Sequence, residues 1–145
     1  MIWPEPVERI AVFLRDSSAL GRIEELPPGI DSAPGTAARA DAFECDGRAL
    51  VVLVPDDADV DRERLRRRSG CTDLREASPR SFPFQGARVI VERSLLPQRT
   101  VWLEAGTPRH VLGLSPSQLV RLTHAETGTF LLPTRTGDSG ARGPG

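Results

Sequence analysis

Apolar positions near the N-terminus repeat with the period of a helix. Val7, Ile10, Ala11 and Leu14 stand at i, i+3, i+4 and i+7 and form one apolar stripe. A helix that begins at Pro4-Glu-Pro6 suits proline in its first turn. The pattern therefore predicts an amphipathic helix that ends before Gly21.

The next regular pattern is that of a β-hairpin. Ala40–Cys45 and Leu50–Val54 read as two strands, joined by Asp46-Gly47. This pair favours a tight two-residue turn, since glycine takes positive φ at no steric cost. Leu50–Val54 is apolar at every position, which predicts a strand covered on both faces.

Two more helices and several short strands complete the pattern. Acidic residues between Asp56 and Asp61 begin a helix that runs to Arg68, and Ser115-Pro-Ser-Gln118 is a capping box that opens another. Residues 27–36 read as a loop. The remaining predicted strands are Gly21–Leu26, Thr72–Ala77, Arg88–Glu92, Thr100–Leu103, His110–Leu114 and Phe130–Leu132. This order predicts an α+β fold, a single domain over residues 1–132 with one mixed β-sheet and flanking helices. Residues 133–145 read as a disordered C-terminal tail.

Composition narrows the chemistry. The 145 residues are 39% hydrophobic with a net charge of −1, which suits one soluble core and argues against a DNA-binding protein. All 19 basic residues are arginine and tyrosine is absent, so lysine Schiff bases, a Walker-type P-loop and tyrosine acids are excluded. No metal-ligand spacing is present, and we expect neither metal nor cofactor.

The cysteines and apolar runs bear on the compartment. Cys45 and Cys71 form no C-x-x-C pair, and we expect them to be reduced thiols, with Cys45 in the core. The longest apolar run, Ala49–Val54, is too short to cross a membrane, and the N-terminus lacks a signal-peptide pattern. We therefore expect a cytoplasmic protein without membrane contact.

Three segments, in order and at matching spacing, resemble the YbaK/ProX family. Arg39-Ala-Asp-Ala-Phe-Glu-Cys-Asp-Gly47, followed by an apolar strand, is similar to its "K-x-h-h-h-x-x-D-G" hairpin. Val91-Glu-Arg-Ser-Leu-Leu96 is similar to "V-D-x-S-L-L". Val101-Trp-Leu-Glu-Ala-Gly-Thr-Pro-Arg-His110 and Leu112-Gly-Leu-Ser-Pro-Ser-Gln-Leu119 together are similar to "V-x-x-G-A-G-x-x-x-H…L-x-P-x-D-L".

This family consists of aminoacyl-tRNA deacylases and includes the editing insertion of bacterial prolyl-tRNA synthetases. The resemblance implies hydrolysis in trans of the ester between a wrong amino acid and its tRNA. The implied partners are the aminoacylated 3′ end of tRNA and an aminoacyl-tRNA synthetase.

The sequence departs from the family pattern on the substrate side. Arg39 occupies the position of the family's essential lysine. The preceding helix is reduced to Ser32–Ala38, and a glycine-rich substrate loop is reduced to Phe82–Gly86.

Two residues are candidates for catalysis. Arg39 cannot act as a general base, because a guanidinium keeps its proton at physiological pH, but its charge can stabilise an oxyanion or hold a phosphate. Histidine is the side chain most suited to proton transfer at physiological pH, so His110 suits proton transfer or a bond to the ribose. The alternatives are a surface arginine at a strand start and a strand histidine bonded to backbone.

Four further residues are candidates for substrate binding. Gly106 lets backbone approach a ligand, and Thr107 adds a hydroxyl to the same turn. Asp41 either captures an amino group or is an exposed strand residue that pairs with Arg39. Phe84 either stacks on adenine or packs within a shortened loop.

Two functions remain open. One is a deacylase that works without the lysine, in which Gly106 and Arg39 polarise the ester carbonyl. The other is a family member without catalytic activity that binds an aminoacyl ligand, a tRNA or a protein. Arginines in Asp61–Arg68 either touch tRNA phosphates or form a solvated helix face.

Overall fold

The computed structural model describes residues 3–133, which contain three α-helices and eight strands. In chain order they are α1 (Glu5–Asp16), β1 (Arg22–Glu25), β2 (Ala38–Cys45), β3 (Arg48–Pro55), α2 (Arg62–Ser69), β4 (Leu74–Glu76), β5 (Arg88–Glu92), β6 (Val101–Glu104), β7 (His110–Leu114), α3 (Pro116–Thr123) and β8 (Glu126–Gly128). The predicted C-terminal tail lies outside the described residues except for Pro133. Within residues 3–133, no helix has the length and apolar character needed to span a bilayer.

The strands form two sheets. The larger has the order β4-β2-β3-β5-β8, with antiparallel pairing up to β3 and parallel pairing beyond it. The smaller is antiparallel with the order β1-β7-β6. The α+β class with a mixed sheet is confirmed, but the single sheet expected from the sequence is divided. The two sheets meet at one parallel bridge between Ala37 and Trp102, and the ladder does not continue beyond it.

Strand β3 is the centre of the fold. Every residue from Leu50 to Val54 is fully buried, as its unbroken apolar sequence predicts. Val51 and Leu53 face a core that also contains residues of α1, α3 and the smaller sheet. The alternate positions face a second cluster beneath α2 that includes Leu65 and Phe130.

The helix boundaries follow the predicted caps. Helix α1 buries Val7, Ile10 and Leu14. The Asp61 carboxylate accepts the backbone N–H of Arg64 at 3.1 Å, so α2 begins at the last of the crowded aspartates. The Ser115 hydroxyl accepts the Gln118 N–H at 3.2 Å and starts α3 as expected.

Glu92 caps a short 3₁₀ turn over Arg93–Leu95. Its carboxylate is 2% exposed and accepts the Ser94 N–H at 2.8 Å. The same carboxylate accepts the N–H of Phe130 at 3.4 Å. The acidic residue and serine of the Val91–Leu96 motif therefore hold the chain where it leaves β5.

The last strand lies earlier than predicted. Residues 126–128 pair with β5, whereas Phe130–Leu132 was the expected strand. Phe130 instead fills the cluster beneath α2, and Leu131 makes only an isolated bridge with Val60. The apolar character of this segment therefore comes from packing beneath a helix rather than from a strand.

The two cysteines form a disulfide, so the expectation of reduced thiols is wrong. Cys45 ends β2, Cys71 follows α2, and their Cα atoms are 5.4 Å apart. The Asp46 carboxylate accepts the backbone N–H groups of Thr72 and Asp73 at 3.1 and 2.7 Å. These bonds lower the pKa of Asp46, the bond from Thr72 first, and hold the chain after α2 against the end of the hairpin.

Candidate functional site

A cavity of about 330 Å³ opens where the start of β2 passes the smaller sheet. One wall is made of small side chains from residues 37, 38 and 40, and the opposite wall comes from β6 and β7. The loop over 79–84, the turn after β6, the segment over 31–33, and Leu26, Arg39 and Asp56 also line the cavity. The cavity therefore lies between the segments that resemble the family hairpin and the "G-A-G" motif.

Arg39 lines this cavity, but its guanidinium is already occupied. Nε and Nη2 donate to the two carboxylate oxygens of Asp41 at 2.8 and 3.0 Å, a bidentate pair. Nη1 donates to the carbonyl of Asp56 at 3.0 Å, and Nη2 donates to that of Ala58 at 2.9 Å. Four of the five N–H donors thus have partners, which leaves one for a ligand.

The ion pair between Arg39 and Asp41 also keeps the guanidinium of Arg39 charged. The hydrogen bond that Arg39 donates to the Asp41 carboxylate raises the pKa of Arg39, and burial only partly opposes it. Strand alternation puts Arg39 and Asp41 on the α2 side of the sheet, whereas Ala38 and Ala40 pack toward the shared core. Arg39 is therefore a permanent cation at the rim of the cavity, and Asp41 is its partner there.

Gly106 lies on the cavity and cannot be replaced without strain. Its φ is 92°, and a Cβ at this position would stand 2.9 Å from the carbonyl carbon of Pro6. Within residues 3–133, the backbone N–H groups of Gly106 and Thr107 donate no hydrogen bond. Both donors belong to a turn that packs on α1, and Gly106 of this turn lines the cavity, where its N–H group is a candidate donor to a carbonyl oxygen of a ligand.

His110 and Thr107 bind one another rather than line the cavity. The Thr107 hydroxyl lies 2.6 Å from Nδ1 of His110, and the His110 N–H donates to the Thr107 carbonyl at 3.2 Å. The histidine is 6% exposed, and its ring packs edge-on against Trp3 at 5.5 Å. Neither residue is among those that line the cavity. The structure therefore places His110 behind the turn that carries Gly106.

Phe84 reaches the cavity but is packed in the core. Its ring is 4% exposed and lies edge-on to Phe82 at 6.0 Å between centroids. A ring so enclosed has no free face for a nucleotide base. The packing alternative is the one that the structure supports.

The arginines of α2 hold the helix in place. Four of them donate to backbone carbonyls outside the helix, namely those of Leu74, Leu131, Cys71 and Thr127. Arg66 also pairs with Glu63 within the helix. These contacts favour a structural role for the charged run over contact with tRNA.

Sequence reasoning missed one exposed carboxylate on the cavity. Glu104 ends β6 and lines the cavity together with Gly106. Within residues 3–133 its carboxylate makes no hydrogen bond or ion pair. The sequence did carry a sign of this residue, because Glu104 stands where the "G-A-G" motif that this segment resembles has its first glycine.

Similarity to solved structures supports the fold. A candidate trans-editing enzyme for prolyl tRNA synthetase matches with a TM-score of 0.75 and 19% identity, over 91% of this chain and 100% of the other. The chain shares that fold. A scaffold protein from computational epitope grafting matches with a TM-score of 0.77 and 20% identity, over 91% of this chain and 100% of the other. A hypothetical protein matches at 0.74 and 15% identity, over 86% and 99%.

Sequence comparison gives no further assignment. No protein-family model and no curated protein matches the chain. At these identities the structural likeness establishes the fold, whereas the chemistry depends on the residues of the cavity itself.

Proposed function

We propose that this chain hydrolyses the ester between a mismatched amino acid and the 3′ end of tRNA. The observation that supports it best is the pair of unbonded N–H groups at Gly106 and Thr107, at the edge of a cavity in an editing-type fold. The expected partners are the charged tRNA end and an aminoacyl-tRNA synthetase. The cytoplasm is the expected compartment because charged tRNA is found there, and the Cys45–Cys71 disulfide is unusual for that compartment.

The proposed reaction needs no metal and no side-chain nucleophile. The ester carbonyl accepts hydrogen bonds from the Gly106 turn, and a water molecule adds to its carbon. The C–O bond to the ribose then breaks, and a proton passes to the leaving oxygen. The products are the free amino acid and the 3′ hydroxyl of tRNA. Orientation and oxyanion stabilisation are the two contributions asked of the protein.

Arg39 and His110 act mainly by position in this scheme. Arg39 holds the segment from Asp56 to Ala58 against the start of β2. His110 bonds with Thr107 behind the turn that presents Gly106. Both residues therefore support the cavity rather than transfer a proton within it.

A panel of mischarged tRNAs tests the proposal. We expect release of one aminoacyl group by the full chain, and a loss of rate in Arg39→Ala. Arg62→Ala is the matched control, because Arg62 also bonds a carboxylate and a carbonyl but does not line the cavity. No hydrolysis of any ester at high protein concentration would refute the deacylase.

The second candidate is a module that binds the aminoacyl end without hydrolysing it. Two observations within residues 3–133 favour it: the guanidinium of Arg39 has one free donor, and no histidine lines the cavity. In that case the panel is flat, while an amide-linked aminoacyl adenosine still binds.

A further inference from the structure

The charges that line the cavity do not cancel. Three carboxylates and two guanidinium groups belong to the lining, from Asp31, Asp56, Glu104, Arg39 and Arg80. Arg39 is paired with Asp41, and Asp31 is paired at 2.9 Å with Arg109.

Those two pairs leave Asp56 and Glu104 against Arg80, a surplus of one negative charge. Asp56 lies in the field of Arg39, which it helps to keep charged. Arg80 donates to the carbonyl of Gln85 at 3.2 Å. Glu104 is therefore the carboxylate of the lining that, within residues 3–133, has no ion-pair partner within 4.0 Å and is not assigned to the field of Arg39; the nearest guanidinium along this face, that of Arg22, lies over the ring of Trp102.

Several apolar residues line the cavity near Glu104. Trp102 and Glu104 lie on one face of β6, and Val111 is the cross-strand partner of Glu104. Trp102 and Val111 form a small cluster with Leu26, against which Ala33 packs. A ligand that suits this end has an apolar body with a cation beside it.

From this arrangement we infer that Glu104 recognises the α-ammonium group of the aminoacyl ester, and that the cavity selects acyl groups that carry a free amine and an apolar side chain. This inference rests on the proposed function. An aminoacyl ester places its ammonium one carbon from the carbonyl. Glu104 lies two residues from Gly106, whose N–H would hold that carbonyl, so one β-strand end supplies both contacts. A charged side chain on the amino acid would instead meet the apolar cluster.

Amide-linked 3′-aminoacylamino-3′-deoxyadenosines test this point without turnover. Alanyl, valyl and leucyl compounds are compared with their desamino counterparts, which keep the side chain and lack the amine. We expect the amino forms to bind about tenfold or more tightly, as is usual for a hydrogen bond between charged groups. Glu104→Gln should remove that preference.

Glu24→Gln is the matched control. Glu24 lies opposite Val111 on the same face of the smaller sheet but outside the cavity lining. It should leave the preference intact, and both variants should unfold at the temperature of the parent protein.

Equal binding of the two series, or an amine preference that survives in Glu104→Gln, would overturn the role of Glu104 and leave the proposed function standing. A preference for lysyl over norleucyl compounds that Glu104→Gln abolishes would assign the carboxylate to a side-chain cation and overturn the inference. No binding by any compound, together with a flat tRNA panel, would overturn both proposals.

Discussion

The disulfide between Cys45 and Cys71 should contribute a large share of the stability of this domain. The two residues are 26 positions apart, so the bond closes a loop that contains β3 and α2. In the chain-entropy model, closing such a loop in the unfolded state is worth about 3.5 kcal/mol at 25 °C. For a domain of this size the loss corresponds to about 10 °C in Tm.

The measurement compares urea unfolding of the oxidised protein with that of the reduced protein and of the Cys45→Ala/Cys71→Ala variant. We expect the reduced protein and the double variant to unfold at lower urea concentrations than the oxidised protein, with similar decreases in the midpoint. Reductant should not change the variant, which lacks the bond. A thiol titration in denaturant should find no free thiol before reduction.

Two outcomes would refute this reasoning. Two free thiols in the purified protein would show that the bond is not formed. Equal midpoints for oxidised and reduced protein would show that closing the loop adds no stability, and the hairpin would then be held by Asp46 and the β2–β4 pairing alone.

Three other changes have defined expectations. Gly106→Ala should lower the free energy of unfolding by about 2 kcal/mol, since it combines a positive φ with a clash at Pro6, and thermal unfolding measures it. The pKa of Glu126 is lowered chiefly by the hydrogen bond that it accepts from Arg88. Glu126 should therefore stabilise the fold at pH values above the ordinary glutamate pKa, and this stabilisation should disappear as the pH falls through the lowered pKa. The stability of Glu126→Gln, measured by unfolding across acid pH, should not show this decrease. Asp61→Ala removes a helix cap and should cost about 1 kcal/mol in urea unfolding, whereas an unchanged midpoint would mean that α2 is held from its other end.

Local patterns predicted most of the elements. Asp46-Gly47 predicted a turn because the geometry of a two-residue hairpin depends on those two residues alone. The Ser115 cap and the apolar stripe of α1 are local in the same sense. The last strand was predicted at the wrong place because Phe130 is apolar in order to pack beneath α2, a tertiary contact, and not because it belongs to a strand.

The site was predicted less completely, because its groups come from distant parts of the chain. Through the family resemblance, the sequence predicted that Arg39 and Gly106 belong to one site, and both residues line the cavity. It could not predict that carbonyls of the β3–α2 loop would occupy the guanidinium of Arg39. The disulfide was missed for the same reason. It depends on the pairing of β4 with β2, which places the chain just before β4, including Cys71, beside Cys45 at the end of β2.

The division between the two sheets bears on how the molecule opens. Within residues 3–133, backbone hydrogen bonding between the sheets is confined to the contact of Thr36 and Ala37 with Trp102. Opening of the smaller sheet would therefore break few backbone bonds to the larger one, but it would have to separate the apolar side chains of β6 and β7 from those of β3 in the shared core. A ligand in the cavity touches both sheets and would have to leave before the smaller one opens. Slowed deuterium uptake in β1, an edge strand outside the cavity, would thus report occupancy of the cavity for any compound, whether or not it is hydrolysed.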